Sequence, residues 1–178
     1  MEIYLVRHTE TVCAKGICYG QSDVDIAEPF ESIFENIVTQ LPEEAILFSS
    51  PLQRCTTLAK YIQDNITTIS YQEDKRLIEM NFGDWEMKNW NDILPEQLNP
   101  WMEDFVHIPA SNGESFVELH QRVGDFLADL NSKEINKPVI VVCHAGVIRS
   151  FLCHQSALPL KDAFQNKVNF GEVIKIHT

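Results

Sequence analysis

Four short apolar runs constrain this chain most: Ile3–Val6, Ala45–Phe48, Thr67–Tyr71 and Val139–Cys143. Three of them are rich in β-branched residues, and none alternates apolar with polar side chains. Unbroken apolar runs this short read as strands covered on both faces, as in a parallel sheet. A fifth run, Val168–Ile176, carries Gly171 and reads as an edge strand. Helical stripes lie between them. Phe30, Ile33, Phe34, Ile37, Val38 and Leu41 recur at spacings of three and four before Pro42. Leu52, Cys55, Leu58, Ala59 and Ile62 do so after Pro51, Phe116 to Leu130 after Glu114-Ser115, and Val147 to Leu152 after Gly146. This order predicts an α/β fold, a three-layer sandwich with a mostly parallel central sheet flanked by helices. Residues 76–112 hold all three tryptophans and read as a helix and loop insertion within a single domain spanning 1–178.

Charge excludes some partners. The 26 acidic and 14 basic residues give −12, which opposes binding to nucleic acid or to an anionic membrane. No segment reaches the ~20 apolar residues of a membrane span. Met1–His8 lacks the basic start and long apolar core of a signal peptide, so a cytoplasmic protein is expected. Five scattered cysteines, an odd number, fit reduced thiols better than a disulfide framework. The pairs Cys143-His144 and Cys153-His154 lack zinc-site spacing, and no metal is expected. Nothing in the sequence fixes the oligomeric state.

Open α/β sheets bind ligands beyond the carboxyl ends of their strands. The first run is followed there by Arg7-His8-Thr9-Glu10, and the second by Ser49-Ser50-Pro51-Leu52-Gln53-Arg54. Beyond the third lies Arg76-Leu77-Ile78-Glu79, and after the fourth comes His144-Ala145-Gly146. Two guanidiniums can grip a phosphoryl group through paired hydrogen bonds at any working pH. A neutral imidazole is a nucleophile near pH 7, and neighbouring cations keep it neutral. A carboxylic acid can protonate a leaving oxygen and then activate water. Glu79 stands first for that task, with Glu86 and Glu10 as rivals. His144 precedes a glycine-containing helix start whose N–H groups could face an anion. Each residue alone has a plainer reading as a core or surface group; their coincidence at strand ends is the specific signal.

Leu5-Val6-Arg7-His8-Thr9-Glu10-Thr11 resembles the opening motif of the histidine phosphatase superfamily, the phosphoglycerate-mutase-like fold. Ser49–Cys55 and Val142–Val147 resemble its second and last motifs, in the right order and over nearly the whole chain. The resemblance implies that His8 is the phosphorylated nucleophile and Glu79 the proton donor. It implies that Arg7, Arg54 and His144 bind the phosphoryl group. Thr9, whose hydroxyl could donate to a phosphoryl oxygen, Gln21 and Ala145 are further substrate-contact candidates. Tyr19–Asp23, Leu77–Met87 and Ile108–Phe116 are similar to the corresponding stretches of bacterial alpha-ribazole phosphatases. That likeness implies removal of phosphate from alpha-ribazole 5′-phosphate or the cobalamin phosphate precursor, with no metal or organic cofactor. Other readings are a phosphatase or mutase for sugar or glycerate phosphates, and an inactive phosphate-sensing or protein-binding module. Tyr19, Asn112, Glu114 and Ser115 are weaker substrate-contact candidates. The three tryptophans read individually as core, although one or two aromatics could cover a flat base. Two departures from the family pattern stand out: Thr9 occupies a usual glycine position, and Asp25-Ile26-Ala27-Glu28-Pro29 replaces a helix start.

Overall fold

The computed structural model describes residues 1–133 and 135–178. Five strands form one sheet: β1 (Glu2–Arg7), β2 (Glu44–Ser49), β3 (Thr67–Glu73), β4 (Val139–Cys143) and β5 (Val173–His177). Their spatial order is β3-β2-β4-β1-β5. β1, β2, β3 and β4 pair in parallel, and β5 closes the edge antiparallel to β1. The α/β expectation holds, with two differences in detail. β3 is the other edge strand and is largely exposed, so its apolar run is not buried on both faces. β-branched residues favour extended backbone, but they do not say which faces are covered. Gly171 lies in the turn before β5 with φ +68°, a conformation that glycine adopts without strain.

One face of the sheet is covered by α1 (Glu31–Val38) and α2 (Gln53–Asn65), which pack Phe34, Ile37, Leu58 and Ile62 against Val6, Leu47, Ile140 and Val142. The other carries α4 (Phe116–Asn131) and α5 (Ala145–Ser156), which press Leu119, Val123, Ile148 and Phe151 onto Ile3, Leu5, Val139 and Val141. α4 begins at a capping box between Ser115 and Glu118. The segment from 76 to 112 includes three short 3₁₀ turns around Lys75–Leu77, Gly83–Trp85 and Trp90–Asp92, and the helix α3 (Pro95–Glu103). Its Leu77, Met80, Trp85, Ile93 and Trp101 join the core beneath α4 and α5. The Asp25–Pro29 stretch forms no helix. It runs beside residues 10–12 through a Thr11–Ile26 bridge, and α1 starts only after it.

Candidate active site

In the parallel register of β1 and β4, Arg7 lies level with Cys143, so the next residues, His8 and His144, meet. Their rings are 5.1 Å apart, and both residues are buried. The Nδ1 of His8 donates to the Thr9 carbonyl at 2.7 Å. A carbonyl can only accept, so this bond fixes the tautomer and leaves Nε2 with its lone pair. Burial, then the cations of Arg54 and Arg7, push the His8 pKa down to about 3, against the pull of that carbonyl. The ring is therefore neutral throughout the physiological range. Burial, with His8 and Arg54 after it, holds His144 well below the ordinary histidine range too. His144 Nε2 lies 2.8 Å from the Ser50 hydroxyl and 3.5 Å from the Cys55 sulfur.

Both predicted arginines flank the rings. Arg54, fully buried on the first turn of α2, donates Nη1 to the Ser22 carbonyl at 2.8 Å and Nη2 to the Gly20 carbonyl at 2.6 Å. Asp23 accepts from the Gln53 N–H at 2.8 Å and so caps the helix that carries Arg54, where Leu52 supplies no side-chain cap. Arg7 donates Nη1 to the Val168 carbonyl at 2.7 Å and lies 3.7 Å from the centre of the Phe170 ring. Among the described residues neither guanidinium meets a carboxylate. The two N–H fans are held in place by carbonyls without being neutralised.

Glu79 completes the ring of groups around a cavity of about 160 Å³, which Arg7, His8, Tyr19, Arg54, Phe82 and Trp90 also line; His144 packs against the His8 ring and does not line this cavity itself. Its Oε1 accepts from Met80 N–H at 2.9 Å and its Oε2 from Gly146 N–H at 3.1 Å. The helix-start N–H of Gly146 thus serves the carboxylate, not a bound anion as the sequence suggested. A Cβ at Gly146 would lie 2.4 Å from Glu79 Oε1, so a larger residue there would push the carboxylate out of this position. Arg122 of α4 anchors the same segment. It donates to the carbonyls of Arg76 and Ile78 at 2.6 Å and of Glu79 at 3.1 Å, while pairing with Glu114 at 2.6 Å.

Several candidates are used elsewhere. Glu86 accepts from the backbone of Gln21 at 2.7 Å and Ser22 at 2.5 Å, and from the Ser22 hydroxyl. It is a clamp on the Gly20 loop, and a Cβ at Gly20 would strike the Met80 carbonyl oxygen at 2.1 Å. Glu10 is exposed and lines a neighbouring groove. Gln21 donates one amide N–H to the Glu79 carbonyl at 3.0 Å and does not line the cavity, so it positions that segment. Asn112 donates to Asp84, Glu114 pairs with Arg122 and Ser115 caps α4, which leaves none of the three on the cavity wall. Ala145 is the buried first residue of α5 and Thr9 is buried beneath the site; neither lines the cavity. Thr9 is tolerated in place of glycine because its φ is not positive, and its methyl group packs near Gly171. Trp85 and Trp101 are core, whereas Trp90 and Phe82 wall the cavity.

Sequence reasoning missed Ser50, Arg122, Phe170 and Arg149. Arg149 follows Ala145 by one helical turn, bonds the Asn166 carbonyl at 3.2 Å and lies over Phe164. Only Ser50 carried a signal, as part of the second motif.

A family model described as the histidine phosphatase superfamily (branch 1) matches residues 3–178, and the chain belongs to that superfamily. Fold and family together define a phosphatase. The chain is 27% identical to the adenosylcobalamin/alpha-ribazole phosphatase of Escherichia coli (strain K12) over 177 residues, 96% of this chain and 87% of that protein. It is 28% identical to phosphoserine phosphatase 1 of Hydrogenobacter thermophilus over 159 residues, 86% and 75% of the two chains. Its fold matches the crystal structure of the alpha-ribazole phosphatase from Shigella flexneri with a TM-score of 0.89 at 26% identity, over 99% of this chain and 90% of that one. Among the described residues no helix is long and apolar enough to cross a membrane.

Proposed function

We propose that this phosphatase hydrolyses alpha-ribazole 5′-phosphate, or the cobalamin 5′-phosphate precursor, to the dephosphorylated nucleoside and phosphate by way of a phosphohistidine on His8. The observation that carries the chemistry is the Nδ1–Thr9 carbonyl bond, which leaves Nε2 as the nucleophilic atom of a neutral ring beside the cations of Arg7 and Arg54. Nε2 attacks phosphorus while Arg7, Arg54 and His144 hold the equatorial oxygens. The P–O ester bond breaks and the leaving 5′-oxygen takes a proton from Glu79. Water then gives a proton back to the Glu79 carboxylate and attacks the phosphohistidine. The P–N bond breaks, and phosphate and neutral His8 are restored. No step needs a metal or a cofactor, and activity should survive EDTA.

The substrate assignment is supported by likeness to alpha-ribazole phosphatases in sequence and in fold. Similarity to phosphoserine phosphatase 1 favours phosphoserine as a second reading. One assay set tests both layers. Brief mixing with labelled substrate and a basic quench should trap label on His8, and absence of label there defeats the covalent mechanism. On a panel of alpha-ribazole 5′-phosphate, phosphoserine, sugar phosphates and 3-phosphoglycerate, the first should show the highest kcat/KM. A higher value for phosphoserine moves the assignment to the second reading.

A further inference from the structure

Beside the catalytic cavity lies a second one of about 310 Å³, formed by the loop from Glu10 to Tyr19 and closed by Phe170. Ile17 and Tyr19 line both, so the two spaces share a wall. Tyr19 stands at their junction and Phe170 lines the outer space, each ring next to one of the phosphate-facing cations. Phe170 lies 3.7 Å from the Arg7 guanidinium carbon and 5.7 Å from the His8 ring. Tyr19 lies 5.4 Å from the guanidinium carbon of Arg54. Phe170 nonetheless keeps 38% of its surface exposed, an uncovered aromatic face beside a reactive centre. The groove's charged residues, Glu10 and Lys15, balance one another, so it offers no net attraction for a second anion. With the phosphoryl group at the carboxyl ends of β1 and β4, an ester arm that runs over Tyr19 reaches this outer space.

We propose that the groove between the Glu10–Tyr19 loop and Phe170 is the leaving-group subsite of the enzyme. Its occupant is a flat, neutral aromatic heterocycle carried on the phosphorylated sugar. This rests on the phosphomonoesterase reading above, and it adds where and how the non-reacting part of the substrate is recognised. Aromatic faces prefer offset or edge contacts with a planar ligand, which Phe170 and Tyr19 can supply without any charged group. Binding energy gained there, remote from phosphorus, positions the ester for attack.

The groove carries its own reporter. Cys13 lines it and is half-buried, whereas Cys18, Cys55, Cys143 and Cys153 are buried. Iodoacetamide should therefore alkylate the native protein first at Cys13, as read by peptide mass spectrometry. Alpha-ribazole, which lacks the phosphate, should slow that reaction at least threefold at saturation, whereas orthophosphate and ribose should not. No protection by alpha-ribazole, or equal protection by orthophosphate, overturns the proposal. The same measurement on His8→Ala should give the same protection, because labelling needs no turnover. Failure of the covalent mechanism and failure of the groove assignment are thus separable. A kinetic arm uses Ala14→Trp, which fills the groove at an exposed position. The ratio of kcat/KM for alpha-ribazole 5′-phosphate over phosphoserine should fall by roughly tenfold, the equivalent of one lost packing contact. An unchanged ratio counts against the groove.

Discussion

Arg7, His8 and His144 stand at the ends of two neighbouring parallel strands, whereas Glu79 stands in a stretch between the 3₁₀ turns Lys75–Leu77 and Gly83–Trp85. The strand ends need little help, because main-chain pairing at β1 and β4 places their side chains. The Glu79 stretch has no sheet partner and depends on side chains from elsewhere: Arg122 on its carbonyls, Gln21 on the Glu79 carbonyl, and Gly146 on the carboxylate. Floor and wall of one cavity are thus built differently. Changes in the floor should cost chemistry alone, and changes in the anchors of the wall should cost folding energy as well.

The largest expected effect lies in the floor. His8→Ala should lower turnover of every monoester by at least ~10³-fold, the scale of losing a covalent nucleophile. Its circular dichroism and its urea midpoint at pH 7 should stay close to wild type, and substantial remaining turnover would sink the nucleophile assignment. Glu79→Gln should cost about 10²–10⁴-fold on an alkyl ester and less on p-nitrophenyl phosphate, whose leaving group needs little protonation. An equal loss on both substrates argues against proton donation. Arg122→Met sharpens the contrast. It strands Glu114 and three carbonyls, so the wall should lose about 3 kcal/mol of stability in urea titration, the low end for breaking a buried pair. Turnover should drop in the same variant because Glu79 loses its mooring. A variant that lost activity at full stability would break the distinction drawn here.

The smallest effect is one of pH. In the fold His8 is held at about 3 and His120 at about 4, both mainly by burial, while an unfolded histidine titrates near ~6.5. The unfolded chain therefore binds more protons than the folded one once pH falls below ~6.5. This contribution to stability is full above that value and declines on acidification towards about 3. The slope is up to ~1.4 kcal/mol per pH unit for the buried His8 ring and smaller for His120, whose partial exposure to water screens the charge. Urea midpoints between pH 7 and 5 should fall accordingly, less steeply in His8→Ala; a flat profile would contradict the buried neutral rings.

This contrast also explains what the sequence made legible. The floor could be read because strand ends and short motifs coincide: Arg7-His8, Ser50 to Arg54 and His144-Ala145-Gly146 all follow apolar runs. The α/β order was equally visible in the periodicities. The anchors were not visible, since Arg122 acts on carbonyls 43 to 46 residues away and nothing local marks a guanidinium that binds backbone. Glu79 and Glu86 look alike in sequence. Only the fold shows one facing the cavity and the other clamping residues 21 and 22. Phe170 lay hidden in a turn before the last strand, where an exposed aromatic draws no attention by pattern.

Among the described residues Arg7 and Arg54 hydrogen-bond carbonyls and pair with no carboxylate, inside a chain whose formal charge is −12. These two like charges face one carboxylate, Glu79, across the cavity, and lie close to a third cation at Arg149. Any compact dianion that reaches them completes a charge balance that folding alone leaves open. Orthophosphate, the product, should then act as a conformational ligand as well as an inhibitor. Bound only to the folded chain, it would add about 2.7 kcal/mol at a hundred times its Kd. In a phosphate-rich solution the enzyme would be more often occupied by its product, and harder to unfold than its own contacts suggest.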